Sequence, residues 1–120
     1  MNEYESEVKE RWGNTLAYKQ SKERTSKYSA DDLEKAKLEQ EAVTNAFLLC
    51  FKAGNSANSP EVQKVVILHR NAITNWYYEC SPEMQKNLAA MYLSDERFKK
   101  FYDDRADGLA QFVHDAIMAQ

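Results

Sequence analysis

The triplet Ser-Pro-Glu occurs twice, at residues 59–61 and 81–83, and the two copies contain both prolines of the chain. Each copy reads as a helix start. A serine N-cap accepts a hydrogen bond from an N–H one turn further on, and proline at the first helical position gives up only an N–H that would be unpaired there. Two such starts, with a helix-period pattern on either side of them, commit most of the chain to helices and leave little room for anything else.

The helical period extends through the remaining sequence. Leu33, Ala36, Val43, Phe47, Cys50 and Phe51 recur at three- and four-residue steps after a capping-box-like start at Ser29-Ala30-Asp31-Asp32, which predicts the longest helix over about 30–53, closed by Gly54-Asn55. Val62, Val65, Val66, His69, Ile73 and Trp76 share one face of a helix running from Ser59-Pro60 to about Tyr78. Met84, Leu88, Met91 and Tyr92 do the same from Pro82 to about Leu93. Ser94 is expected to cap a helix carrying Phe98, Phe101 and Tyr102. After a charged corner at 103–107, a last amphipathic helix carries Leu109, Phe112, Val113, Ala116 and Ile117. No window alternates with the two-residue period of a strand, so the fold class is all-α.

The first 27 residues differ from the rest. Tyr4, Val8 and Trp12 form a stripe one residue wide, and a second short helix over 15–24 offers only Leu16, Ala17 and Tyr18. Such short, thinly apolar helices bury too little to stand on packing alone. Residues 1–24 therefore read as a mobile lid that docks weakly, which divides the chain into a lid segment of residues 1–27 and a helical core of residues 28–120.

A chain of 120 residues suits a single domain. Its net charge of −3 and lack of a basic face argue against DNA or RNA binding. With no apolar run of membrane length and an acidic N-terminus, the chain is expected in the cytoplasm, away from membranes. Cys50 and Cys80 have neither C-x-x-C spacing nor a histidine pair beside them, so no metal site or disulfide is expected. Phosphate loops, H-E-x-x-H and G-x-S-x-G are absent, and only His69 and His114 could serve as an oriented base, so the chain is read as a non-enzyme with no catalytic residues and no cofactor.

The chemistry that remains lies between His69 and Tyr92. Cys80 directly precedes the Ser81-Pro82 helix start, where the helix dipole favours thiolate while Glu79 and Glu83 oppose it, so a moderately activated thiol is expected at most. The local alternative is a small hydrophobe in a turn. His69, alone on an apolar face, is more readily explained as a hydrogen-bonded core residue than as a haem ligand. Trp76, Tyr77, Tyr78 and Trp12 exceed what one helix face can bury and lead the pocket candidates. Tyr18 and Tyr28 from the N-terminal side complete the set, with His69, Ile73, Met91 and Tyr92 from the helix faces nearby.

Several blocks resemble the TipAS antibiotic-recognition domain, the effector half of TipAL-type regulators of the MerR family. They are R-W-G-N-T-L-A-Y-K-Q-S (11–21), S-K-Y-S (26–29), H-R-N-A-I-T-N-W-Y-Y-E-C-S-P-E-M (69–84), M-Y-L-S-D-E-R-F (91–98) and F-Y-D-D-R-A-D-G-L-A (101–110). The resemblance implies a globin-like helical fold without haem, about five core helices plus two short N-terminal lid helices, and a cleft for thiopeptide-like or other multi-ring antibiotics. It further implies that the lid closes over the ligand and that Cys80 matches the cysteine that adds to a dehydroalanine of the drug. The winged helix-turn-helix and coiled coil of such regulators are not in this sequence, so a monomer without direct DNA binding is expected, either signalling or sequestering drug. Two other readings remain open: a protein-interaction module whose aromatic groove accepts a partner helix or peptide, and a haem or tetrapyrrole sensor using His69.

Overall fold

The computed structural model describes residues 16–120, with side chains from residue 19 onward, as a succession of helices: α1 (Leu16–Ser26), α2 (Ala30–Lys52), α3 (Pro60–Trp76), α4 (Pro82–Ser94), α5 (Glu96–Asp103) and α6 (Leu109–Met118). No strand occurs among the described residues, in line with the all-α expectation. The first predicted helix, with Tyr4, Val8 and Trp12, lies outside the described residues. Tyr18 belongs to α1, but its side chain is outside them too.

The caps form where the sequence places them, because capping is a local interaction. Ser29 and Asp32 make a reciprocal capping box, each side chain bonded to the other's backbone N–H at 3.1 Å. Ser59 caps α3 through the Val62 N–H at 3.4 Å, and Ser81 caps α4 through the Met84 N–H at 3.2 Å, each with proline in the first turn. α2 ends in a Schellman arrangement: Gly54 N–H donates to Phe51 O and Asn55 N–H to Cys50 O, both at 3.1 Å. Gly54 has φ +78, the left-handed conformation that favours glycine at this position.

Two boundaries differ from expectation. The cap of α5 is Asp95 rather than Ser94. Ser94 is the last residue of α4, and Asp95 closes α4 through its N–H to Met91 O while its carboxylate accepts from the Arg97 N–H, each at 2.9 Å. The two helices share one residue and have no linker to carry separate caps. α3 stops at Trp76, with Tyr77 as C-cap, and the N–H groups of Tyr77 and Tyr78 both bond Ile73 O, at 2.9 and 3.3 Å. The aromatic run is therefore a turn, and its three rings need not share a direction.

The core lies where α2, α3, α4 and α6 meet. Phe47, Val62, Val66, Ala89, Leu109, Val113, Ala116 and Ile117 are fully buried within it. α2 packs along α3 and α4 along α6, with α5 closing one side. Leu33, on the same stripe as Ala36 and Phe47, is 51% exposed. It shares their face but stands a turn nearer the helix start, ahead of the buried residues. Among the described residues no helix is long and apolar enough to cross a membrane, and no cluster of side chains could hold a metal ion.

Candidate functional site

The helices do not close completely. Between α2, α3, α4 and α5 they leave a cavity of about 440 Å³, within the range of sites for drug-sized molecules. Its wall is mainly apolar and aromatic. α3 and the turn after it contribute Ile73, Trp76, Tyr77 and Tyr78, α4 contributes Leu88, Met91 and Tyr92, and α5 contributes Phe98 and Tyr102. The inner face of α2 adds Ala36, Val43 and Thr44, and Ser21 of α1 reaches the rim.

Trp76 is anchored from two sides. The Trp76 indole N–H donates to the Glu39 carboxylate of α2, which also accepts from the Asn75 amide at 3.4 Å. The Tyr28 ring meets Trp76 edge-on, 5.5 Å between centroids, and its hydroxyl donates to the Trp76 carbonyl. Tyr78 is buried and its hydroxyl pKa is raised by that burial, so it stays protonated at physiological pH. Thus Trp76 and Tyr28 have their polar ends satisfied by protein, and Trp76 keeps carbon surface for the cavity wall.

α1 rides on the C-terminal end of α3. Such an end leaves main-chain carbonyls without intrahelical partners, and α1 supplies them. The Arg24 guanidinium donates to Thr74 O, beside the Tyr28 bond to Trp76 O. The Gln20 side-chain carbonyl accepts from the Glu79 N–H at 3.1 Å.

Behind the cavity lies a buried polar cluster. His69, 8% exposed, has Nε2 3.0 Å from the Tyr92 hydroxyl and Nδ1 2.8 Å from the amide nitrogen of Gln85. Burial lowers its pKa to about 4, so the ring is neutral. With both nitrogens engaged it is a hydrogen-bonded core residue that also touches the cavity, and neither nitrogen is available as an axial haem ligand without breaking a bond. At the other end Asp95, 9% exposed, holds Arg97 by two side-chain contacts of 3.3 and 3.1 Å, and both residues line the cavity.

Cys80 lies beside the chamber. It is 6% exposed, packed with Ile73, Tyr77, Tyr78, Met84 and Leu88, and its S–H donates to Ser81 O at 3.6 Å. Four of those neighbours line the cavity, which places the sulfur one layer behind the wall. Burial pushes its pKa up to about 11, with Arg70 pulling weakly the other way. The thiol thus lies at the inactive end of the range the sequence allows and behaves as the small hydrophobe in a turn, because removal from water outweighs the partial charge of the helix end.

Of the residues singled out in the sequence, the cavity brings together His69, Ile73, Trp76, Tyr77, Tyr78, Met91 and Tyr92, with Tyr28 one step back against Trp76. Tyr102, Phe98, Leu88 and the pair Asp95–Arg97 were not anticipated as site residues, and neither was Gln85. Gln85 lies on the apolar face of α4, three, four and seven residues before Leu88, Ala89 and Tyr92, which was the available signal for its burial.

Fold and site together define an all-helical ligand-binding domain with an aromatic chamber and a helix docked across its rim. Residues 4–120 match the TipAS antibiotic-recognition domain, and the chain belongs to that family. It is 42% identical over 118 residues to the HTH-type transcriptional activator TipA of Streptomyces coelicolor and equally to that of Streptomyces lividans, covering 98% of this chain and 47% of those proteins. To the transcriptional activator mta of Bacillus subtilis it is 30% identical over 115 residues, 96% of this chain and 44% of that one. The chain thus spans about half the length of the curated relatives it matches. A solved structure of TipAS from S. lividans in complex with nosiheptide, described as part of a thiopeptide antibiotic multidrug resistance system, superposes with a TM-score of 0.89 at 42% identity, over 97% of this chain and 81% of that one.

Proposed function

We propose that this chain binds thiopeptide-like or other multi-ring antibiotics in the aromatic chamber and serves either as the effector-recognition domain of a MerR-type drug-responsive regulator or as a drug-sequestering protein. The observation that carries the reading is the chamber itself: about 440 Å³, walled by Trp76, Tyr77, Tyr78, Met91 and Tyr92, in a chain closely similar to one solved with a thiopeptide. Flat rings stacked on such a wall gain burial and ring contacts together. Residues 1–27, with Trp12 and Tyr18, act as the lid and residues 28–120 as the core. The site acts by binding, without catalysis, and the chain works as a cytoplasmic monomer that leaves DNA contact to other segments.

Cys80 supplies a second stage. The buried thiol is a poor nucleophile in the free chain, so recognition is non-covalent first, and ligand entry then rearranges the layer of Tyr77 and Tyr78 in front of the sulfur. The S–H adds across the dehydroalanine double bond: sulfur bonds to the β-carbon, the π bond breaks, and the proton goes to the α-carbon. Nothing is expelled.

The test is calorimetric titration with nosiheptide, followed by intact mass. Micromolar or tighter binding is expected, weakened at least tenfold by removal of residues 1–27, since the lid contributes closing contacts at a cost in ordering entropy. An adduct equal to the sum of both masses, absent in Cys80→Ser, supports the second stage. If nosiheptide gives neither heat nor a thermal shift while a peptide ligand does, the chamber is a protein-interaction groove instead.

A further inference from the structure

Trp76 is the largest ring in the chamber wall, and it stands where its own helix cannot brace it. It is the last residue of α3, so the positions three and four further on, which would pack beside it in a continuing helix, have left the helix. The bracing comes from α2 instead. Glu39 lies three residues after Ala36 and four before Val43, both of them in the chamber wall, and is carried on the same side of α2. It does not line the chamber itself.

The carboxylate of Glu39 holds two donors from the end of α3. One oxygen accepts from the Trp76 indole N–H, the other from the Asn75 amide at 3.4 Å. An indole N–H can only donate, and an ionised acceptor binds it more strongly than a neutral one would. The Tyr28 ring, edge-on to the indole at 5.5 Å between centroids, adds a second constraint, so a turn about χ1 or χ2 of Trp76 breaks the bond, the ring contact or both. With its N–H engaged by Glu39, Trp76 presents ring surface to the chamber and no hydrogen-bond donor.

We propose that Glu39 is a positioning residue for ligand recognition: it fixes the Trp76 indole before a ligand arrives, so that a flat ring system meets a platform already set. Ordering a large side chain during binding costs affinity, and a platform ordered beforehand removes that cost. This inference rests on the chamber being the ligand site.

A spectrum and a binding cycle test it. In ¹H–¹⁵N spectra of the ligand-free chain, the Trp76 indole signal is told from that of the other tryptophan by its loss in Trp76→Phe. It is expected downfield and slow to exchange with solvent in the parent, upfield and faster to exchange in Glu39→Leu, and between the two in Glu39→Gln, whose amide oxygen still accepts. A signal unchanged in Glu39→Leu overturns the proposal. Nosiheptide titration is expected to show Kd raised about 3- to 10-fold in Glu39→Leu, the cost of ordering one large side chain, and restored to within about twofold of the parent in Glu39→Gln. In a Trp76→Phe background, which has no indole N–H to hold, Glu39→Leu should change Kd by less than about twofold. Effects that multiply in the double variant would show that Glu39 acts through some other group and overturn the proposal, as would a Glu39→Leu affinity equal to that of the parent. If the parent itself does not bind nosiheptide, the proposed function falls, and the indole signal alone decides whether Glu39 holds the ring.

Discussion

Acid should weaken this fold through one residue, and the size of the effect follows from where that residue sits. The His69 ring is 8% exposed and bonded at both nitrogens, and burial moves its pKa from 6.5 to about 4. Between those values the unfolded chain binds a proton that the folded chain refuses, so unfolding is favoured as pH falls. The stability associated with the neutral ring is complete above about pH 6.5, declines by about 1.4 kcal/mol per pH unit below it, and levels off near pH 4. Integrated, the loss is about 2 kcal/mol by pH 5 and about 3 kcal/mol by pH 4, a large share of the stability of a domain this size. Urea unfolding followed by circular dichroism at pH 7, 6, 5 and 4, on the parent and on His69→Gln, isolates the term, because every other titrating group is common to both. The parent should lose that much more than the variant over the window. Curves that fall in parallel would show that His69 takes up its proton in the folded state without penalty, and the buried-cluster account would be wrong.

Three further outcomes follow from single features. In a Cys50→Ser background, the remaining Cys80 thiol should react with a disulfide reagent at pH 7.4 on the order of a hundredfold more slowly than free cysteine, since burial holds its pKa near 11; a rate equal to that of free cysteine refutes the burial argument. Gly54→Ala should cost about 1 kcal/mol in urea unfolding, all of it from the positive φ, because no atom lies within 4 Å of the added methyl; no change in midpoint would mean the Schellman turn relaxes freely. Arg105→Ala should cost about 1 kcal/mol, losing a partly exposed pair with Glu41 at 3.0 Å and a stacking contact 4.3 Å above Phe101. Raising salt should recover little of that difference in the parent if stacking dominates, and this can be read from the same unfolding curves.

What the sequence made legible was what local chemistry decides. Ser29, Ser59, Ser81 and Gly54 act within one turn of themselves, so reading them in order was enough to place four helix ends. The misplacements have tertiary causes. Leu33 has the right phase for the core, yet periodicity reports a face and says nothing of how far the opposing helix extends. Ser94 and Asp95 are both good caps, and the choice between them depends on α4 running straight into α5. Gln85 is a polar residue on an apolar stripe, read as noise unless the partners on α3 and at Gln120 are known. The charge state of Cys80 turns on desolvation, which no dipole argument from neighbours in sequence can weigh. The aromatic run at 76–78 exceeds what one helix face can bury, but a surplus of rings is equally a core or a wall, and only the packing of four helices leaves the hollow that separates the two.

The way α1 is tied down has a consequence for how this architecture can diversify. Its anchors, Arg24 and Tyr28, grip the peptide oxygens of Thr74 and Trp76, atoms that every amino acid carries. Side chains on that stretch of the chamber can therefore be exchanged, and the shape of its wall retuned, without unlatching the segment docked against it.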